Sequence, residues 1–149
     1  MEIERKFLIP ALPDNLDSFP FQTLEQAYLC TDPVVRIRKS DDSYTLTYKS
    51  KGLMSREEYN LPLTAESYEH LKEKADGNVI RKRRYRIPFS SRLTIELDIF
   101  EPPFSGLVLA EVEFDSEEEA NSFLPPDWFG EDVTWSSRYH NSTLSSLKL

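Results

Sequence analysis

Apolar and polar residues alternate along much of the chain, and this two-residue period predicts β-strands. The clearest segment, 93–100, alternates between an apolar and a polar face: Ile95, Leu97 and Ile99 against Thr94, Glu96 and Asp98. The same period occurs in further segments: 2–9, 24–30, 34–39, 44–49, 56–61, 79–89 and 107–114. We therefore expect eight strands, most of them joined by short turns.

Helical signals occur in only a few places. Thr64 is a suitable N-cap for a helix over 64–75, with Gly77 as its stop. Ser116 and Glu119 have capping-box spacing at the start of a second helix, and 141–147 predicts a short third one. These elements predict an α+β domain over residues 1–149, a closed or nearly closed eight-stranded antiparallel β-barrel with a few flanking helices.

Composition and charge exclude several classes of function. The chain has 149 residues with a net charge of -8, which argues against a general nucleic-acid binder because such proteins need an excess of Lys and Arg. No apolar run approaches the length of a membrane span, and charges occupy the N-terminus where a signal peptide would be apolar. The single cysteine, Cys30, fits a reducing compartment. We therefore expect a cytoplasmic protein with neither a nucleic acid nor a membrane as partner.

Charged residues recur on the polar faces of the predicted strands. The acids are Glu2, Glu4, Glu96, Asp98, Glu111 and Glu113. The bases are Lys6, Arg36, Arg38, Lys49, Arg56, Lys82 and Arg84. One such row is typical of a solvated strand face, but its recurrence favours a shared polar interior. Like charges crowded there persist only if ligands of both signs neutralise them.

The two sets of charges indicate different ligands. Carboxylates are hard oxygen ligands that suit Mg²⁺ or Mn²⁺. Arg and Lys suit a multiply charged phosphate, Arg through paired hydrogen bonds and Lys as a point charge. The combination predicts a metal-dependent site for phosphoryl transfer.

The sequence also resembles a known family, the CYTH superfamily or triphosphate tunnel metalloenzymes. Its ExExK signature matches Glu2-Ile3-Glu4-Arg5-Lys6. Seven further blocks follow in the family's order: Gln26 to Leu29, Arg36 to Arg38, Leu46 to Lys49, Lys82 to Tyr85, Glu96 to Asp98, Ala110 to Phe114, and Arg138 to Asn141. The short chain resembles the compact bacterial branch that hydrolyses inorganic tripolyphosphate.

The resemblance implies a tunnel of eight antiparallel strands with polar side chains inside, and a role for each matching residue. The implied metal ligands are Glu2, Glu4, Glu111 and Glu113, with Asp98 assisting directly or through water. The implied substrate-binding residues are Lys6, Arg36, Arg38, Lys49 and Arg84, to which we add Arg56 and Glu58. Relatives suggest that Lys82 and Tyr28 activate the attacking water. A second metal ion, with Glu96 or Glu58 orienting the water, is the alternative.

Two positions depart from the family pattern. Asn60 stands where the family often has an acid, which leaves open whether Glu57 or Glu58 points inward. His140 stands where a lysine or arginine is common, and we interpret it as a surface histidine.

The expected activity is metal-dependent hydrolysis of tripolyphosphate to pyrophosphate and phosphate, by a monomer or a homodimer. Thiamine triphosphate hydrolysis and class IV-type adenylate cyclisation on the same scaffold are alternatives. A non-catalytic module that binds polyphosphate is an alternative of another class. The acids disfavour such a module, because anion binding alone would gain nothing from Glu2, Glu4, Glu111 and Glu113.

Overall fold

The structure is a computed structural model that describes residues 1–90 and 92–148. Its strands are β1 (Glu2–Leu8), β2 (Phe21–Thr31), β3 (Val34–Ser40), β4 (Ser43–Lys49), β5 (Ser55–Arg56), β6 (Glu58–Pro62), β7 (Asp76–Pro88), β8 (Thr94–Phe100) and β9 (Val108–Glu113). Its helices are α1 (Ala65–Glu73), α2 (Glu117–Ser122) and α3 (Asn141–Ser146), with 3₁₀ turns at Leu16–Ser18 and Ser137–Tyr139. No helix in these two ranges is long and apolar enough to cross a membrane.

The strands form one antiparallel sheet that closes almost completely on itself. Its order is β5-β1-β9-β8-β7-β2-β3-β4-β6. The two end strands are separated along the chain only by Glu57, and their pairings lie at adjacent positions: Glu2 opposite Arg56, and Lys49 opposite Glu58. This confirms the predicted antiparallel barrel, with eight strand positions around the ring. The predicted strand 56–61 is interrupted at Glu57, so the structure has nine strands.

The apolar core lies outside the barrel, because the strands turn their polar faces inward. Phe7 of β1 packs against Phe123 and Phe129, with ring centroids 6.1 and 4.9 Å away, in the segment that follows α2. On the other side, Tyr68 of α1 is fully buried against Ile37 of β3. The flanking elements therefore stabilise the barrel from outside and leave its interior to polar side chains.

Local sequence explains where two helices begin. Thr64 and Ser67 form the capping box of α1, in which each side chain accepts a hydrogen bond from the other residue's backbone N–H. Ser116 caps α2 by accepting from the Glu119 N–H, as predicted, but the Glu119 carboxylate binds Arg92 instead of closing the box.

Helix α3 packs across one end of the barrel. Leu144 joins an apolar cluster with Val34, Phe100 and Leu109, which lie where β3 and β9 begin and β8 ends. Asn78 of β7 donates to the carbonyls of Leu144 and Leu147 at 3.2 and 2.7 Å, which satisfies groups that a helix C-terminus leaves unpaired. The last segment of the chain is thereby held against the strands that form the site.

Gly77 makes this packing possible. We predicted it as the stop of the first helix, but α1 ends at Glu73 and Gly77 is the second residue of β7. Its φ is +74°, and a Cβ at this position would lie 2.1 Å from the Ser145 carbonyl oxygen of α3. A glycine is therefore needed for the close approach of the two backbones.

Candidate active site

The barrel encloses a polar cavity of about 240 Å³. Most of the predicted site residues line it: Glu2, Glu4, Lys6, Tyr28, Arg36, Arg38, Lys49, Arg56, Glu58, Arg84, Glu96, Glu111 and Glu113. They meet because each stands at an inward position of its strand, and neighbouring strands bring these positions side by side. Lys82 and Asp98 are the two predicted residues that do not line the cavity.

One side of the cavity is an acidic wall formed by Glu2, Glu4, Glu111 and Glu113 on β1 and β9. Register explains the crowding, because Glu4 pairs directly with Glu113, and Lys6 with Glu111. Burial, followed by the charges of Glu111 and Glu2, raises the pKa of Glu4 well above its usual range. Burial and nearby acids also raise the pKa of Glu113. Both carboxylates are thus destabilised in their ionised form.

Lysine and arginine neutralise only part of this wall. Lys49 Nζ lies 2.9 Å from Glu2 Oε2 and 3.4 Å from Glu58 Oε2, and Lys6 Nζ lies 3.6 Å from Glu111 Oε1. Within residues 1–90 and 92–148, neither Glu4 nor Glu113 has a basic side chain in ion-pair contact. Negative charge at these two positions is therefore available to a cation.

The opposite side is a basic wall formed by Arg36 and Arg38 on β3. In the ring of eight strand positions, β3 and β9 are four steps apart in either direction. Arg36 donates to Thr47 Oγ1 at 3.1 Å and Arg38 to Gln26 Oε1 at 2.8 Å. In the part of the chain that the structure describes, no carboxylate pairs with either guanidinium, and the buried Arg36 Nε has no hydrogen-bond partner.

The basic wall is electrostatically strained in the same way as the acidic one. Burial, together with the charges of Arg36 and Arg84, lowers the pKa of Arg38 to about 9. An anion in the cavity would offset this repulsion and satisfy the unpaired donor of Arg36.

Lys82 and Asp98 lie behind Arg84, which lines the cavity. Asp98 is 1% exposed, and Arg84 binds both of its oxygens, at 2.7 and 2.9 Å. Lys82 is fully buried, with Nζ 2.7 Å from Asp98 and 3.1 Å from Asn141 Oδ1. Burial, which outweighs the attraction of Asp98, lowers the pKa of Lys82 to about 7.

These positions change what the two residues can do. The carboxylate of Asp98 is fully engaged by basic side chains, so the geometry does not present it to a metal ion. Tyr28 lines the cavity and its hydroxyl accepts from Gln26 Nε2 at 3.4 Å, but within the described residues no hydrogen bond joins it to Lys82. The joint role of Lys82 and Tyr28 therefore stays a prediction.

The two departures from the family pattern have clear positions. Glu58 points inward and Glu57 is exposed. Asn60 also lines the cavity, where it donates to Glu58 at 3.3 Å and accepts from Thr47 at 2.6 Å. Contrary to the expectation for His140, this half-buried residue lines the cavity. Burial and the charges of Lys6 and Arg56 lower the pKa of His140 to about 4.

Four further lining residues were missed: Val34, Arg86, Asn141 and Ser142. Strand alternation could have found Arg86, which is two residues beyond Arg84 on β7. Asn141 and Ser142 belong to α3, and only tertiary packing brings them to the cavity.

The donors of the acidic wall fit a hard divalent cation, because all of them are carboxylate oxygens. Their crowding is the second sign of fit, since Glu4 is protonated more readily than an ordinary glutamate in the absence of a cation. Among the described residues, no three His, Cys, Asp or Glu side chains are yet arranged as a metal-binding group. In this state Glu2 forms an ion pair with Lys49, and Glu111 forms one with Lys6.

The fold and the cavity together define a β-barrel protein with a charged interior. The CYTH domain family matches residues 1–148, and the chain belongs to this family.

Similar proteins cover the chain almost completely. An inorganic triphosphatase of Nitrosomonas europaea is 41% identical over 148 residues, covering 97% of this chain and 96% of that protein. An inorganic triphosphatase of Acetivibrio thermocellus is 38% identical, covering 96% and 92%. The crystal structure of an inorganic triphosphatase superposes with a TM-score of 0.74 at 37% identity, covering 99% of this chain and 96% of that one.

Proposed function

We propose that this protein hydrolyses inorganic tripolyphosphate to pyrophosphate and phosphate in a metal-dependent reaction. The observation that carries the proposal is the opposition of two incompletely neutralised walls, acidic on β1 and β9 and basic on β3. A cavity of this kind suits a polyanion and a divalent cation bound together. The names of the full-length relatives support the same reaction.

In this proposal the basic side chains of the cavity bind the three phosphates. Arg36 and Arg38 provide guanidinium donors that no carboxylate in the described chain engages. Lys6, Lys49, Arg56 and Arg84 surround the same space, and Glu58 orients Lys49. Their fixed charges stabilise the charge that spreads over the phosphoryl oxygens in the transition state.

Glu2, Glu4, Glu111 and Glu113 would hold Mg²⁺ or Mn²⁺. When bound, the ion would neutralise part of the charge on the phosphate oxygens. Asp98 contributes only indirectly, because Arg84 and Lys82 engage its carboxylate.

Water attacks the terminal phosphorus in line, and the bond to the bridging oxygen breaks as the new P–O bond forms. Of the residues predicted to activate or orient this water, Tyr28, Glu96 and Glu58 line the cavity. In our assignment the Tyr28 hydroxyl forms a hydrogen bond with the water, and Glu96 or Glu58 accepts the proton that the water loses. Lys82 does not line the cavity, so its part in the reaction is indirect.

The Glu111→Ala variant distinguishes an enzyme from a module that only binds polyphosphate. We expect it to lose phosphate release from tripolyphosphate at least 100-fold while still binding the anion in a calorimetric titration. Glu118→Ala, which removes an exposed acid of α2, should match the wild type. If neither the wild type nor Glu111→Ala releases phosphate, and the variant binds the anion more tightly, the protein is a binding module.

A further inference from the structure

The Arg84 guanidinium is held from behind by a buried carboxylate. Arg84 Nε and one terminal nitrogen bind the two oxygens of Asp98, while the other terminal nitrogen lies 3.5 Å from Glu96. A guanidinium has five N–H groups, so hydrogens of both terminal nitrogens stay free to face the cavity that Arg84 lines. The two-point contact with Asp98 fixes the plane of the guanidinium and therefore the direction of these donors.

Asp98 is itself fixed by Lys82. The Lys82 Nζ lies 2.7 Å from the Asp98 oxygen that also accepts from the terminal nitrogen of Arg84, and both residues are almost completely buried. On its other side the Lys82 ammonium donates to Asn141 Oδ1 at 3.1 Å, and it lies 5.1 Å from the centroid of the Phe100 ring. These contacts engage the Lys82 ammonium with Asp98 and Asn141, and Lys82 is not among the residues that line the cavity.

Asn141 links this chain of contacts to the end of the protein. It is the first residue of α3, whose position against β7 depends on the glycine at position 77 and on the two hydrogen bonds from Asn78. A displacement of α3 would remove the acceptor for Lys82.

We propose that Asn141, Lys82 and Asp98 form a buried relay that positions Arg84, so that Lys82 acts through Arg84 and α3 determines the geometry of a phosphate-binding residue. All three are positioning residues in this scheme. The proposal rests on the proposed function for its substrate, but it assigns Lys82 a different role from that of a base. It also gives a role to Asn141, which the sequence did not single out as a site residue.

A double-mutant cycle tests the relay. Asn141→Leu removes the acceptor for Lys82 with little change of volume, and Arg84→Met removes the group that the relay positions. We expect Asn141→Leu to weaken tripolyphosphate binding by about 10-fold in wild type, from the loss of an ordered charged contact, and by less than about twofold in the Arg84→Met background. Lys82→Met should behave in the same way. Binding is measured by calorimetry in EDTA, and kcat and KM with Mg²⁺.

Two variants separate positioning from a general loss of structure. Asn141→Asp keeps an acceptor oxygen at the same place and should restore binding to within about threefold of wild type. Ser146→Ala changes an exposed residue of the same helix and should leave binding unchanged. Melting temperatures identify any variant that fails through unfolding.

Additive effects of Asn141→Leu and Arg84→Met would overturn the relay. So would a Lys82→Met variant that loses kcat at unchanged KM in both backgrounds, since that result describes a base acting on water. If the wild type binds tripolyphosphate without hydrolysing it, the proposed function fails while the binding cycle still decides the relay. A wild type that does neither overturns both.

Discussion

Arg36 is the residue whose surroundings say most about the ligand. Its guanidinium is buried, its only hydrogen bond among the described residues goes to the Thr47 hydroxyl, and its Nε has no partner. A buried cation without a counter-charge is unfavourable for the empty protein. An anion bound beside Arg36 would supply the missing counter-charge and remove this unfavourable free energy.

Replacing Arg36 by Met should therefore affect function and stability in opposite directions. We expect kcat/KM for tripolyphosphate to fall about 10- to 100-fold, because one or two charge-assisted hydrogen bonds are lost. The melting temperature without ligand should stay the same or rise. Phosphate release and thermal unfolding are the two measurements.

Arg83→Met is the matched control, because Arg83 is an exposed residue of β7 that stacks on Phe21 outside the barrel. Equal losses of kcat/KM in the two variants would contradict the assignment of the basic wall.

His140 gives the protein a predictable response to acid. Burial and the nearby cations lower its folded-state pKa to about 4, from 6.5 for an ordinary histidine. Between these values the unfolded chain binds a proton that the folded protein does not. The contribution to stability is therefore fully present above pH 6.5 and is lost as the pH falls towards 4, by roughly 2–3 kcal/mol in total.

His140→Gln should make the free energy of unfolding less dependent on pH between 6.5 and 4, as measured by denaturant titration at several pH values. His70→Gln is the control, because His70 is exposed on α1 and is the other of the two histidines in the chain. A pH dependence unchanged by His140→Gln would show that His140 is hydrated like a surface residue.

Among the secondary-structure elements, strand alternation carried most of the information about the site. A two-residue period fixes which side chains share a face, so nearly all the predicted residues line one cavity once the strands close into a ring. Alternation does not indicate whether an inward side chain reaches the cavity or is buried behind the residues that line it. Lys82 and Asp98 have inward positions like Arg84, yet they are buried in ion pairs behind it.

Helix α3 shows the second limit of prediction from sequence. Its existence was predicted, but its position depends on a long-range contact between Gly77 and Ser145. No periodicity within residues 141–146 indicates that Asn141 meets Lys82. The same limit explains why His140 was placed on the surface.

Gly77→Ala should displace α3. The added methyl group would clash with the Ser145 carbonyl, and alanine would be strained at a φ of +74°. We expect a loss of about 1–3 kcal/mol in stability together with a higher KM for tripolyphosphate. Thermal unfolding and steady-state kinetics on the folded fraction test both effects.

Gly106→Ala provides the control. Gly106 has a φ of +95°, but a Cβ there has no neighbour within 4 Å among the described residues. It should lose stability through backbone strain and keep the wild-type KM. An unchanged KM in Gly77→Ala would show that the position of α3 does not affect the phosphate-binding residues.

The molecule as a whole is a barrel with its polarity reversed. Its apolar side chains are covered from outside by α1, by α2 with the segment that follows it, and by α3, while charged residues face the interior. Enclosure strengthens each electrostatic interaction in the cavity, because little water screens it. This arrangement is compatible with the binding of a polyanion by a chain with a net charge of -8, because a group of Lys and Arg side chains lines the cavity.

The central claim is that these opposed charges carry out metal-dependent hydrolysis of a triphosphate. The most direct test measures phosphate release from tripolyphosphate, ATP and thiamine triphosphate side by side, each with Mg²⁺, Mn²⁺ or EDTA. We predict turnover that is fastest with tripolyphosphate and that EDTA abolishes. Release that persists in EDTA, or the absence of release from all three compounds, would contradict the account.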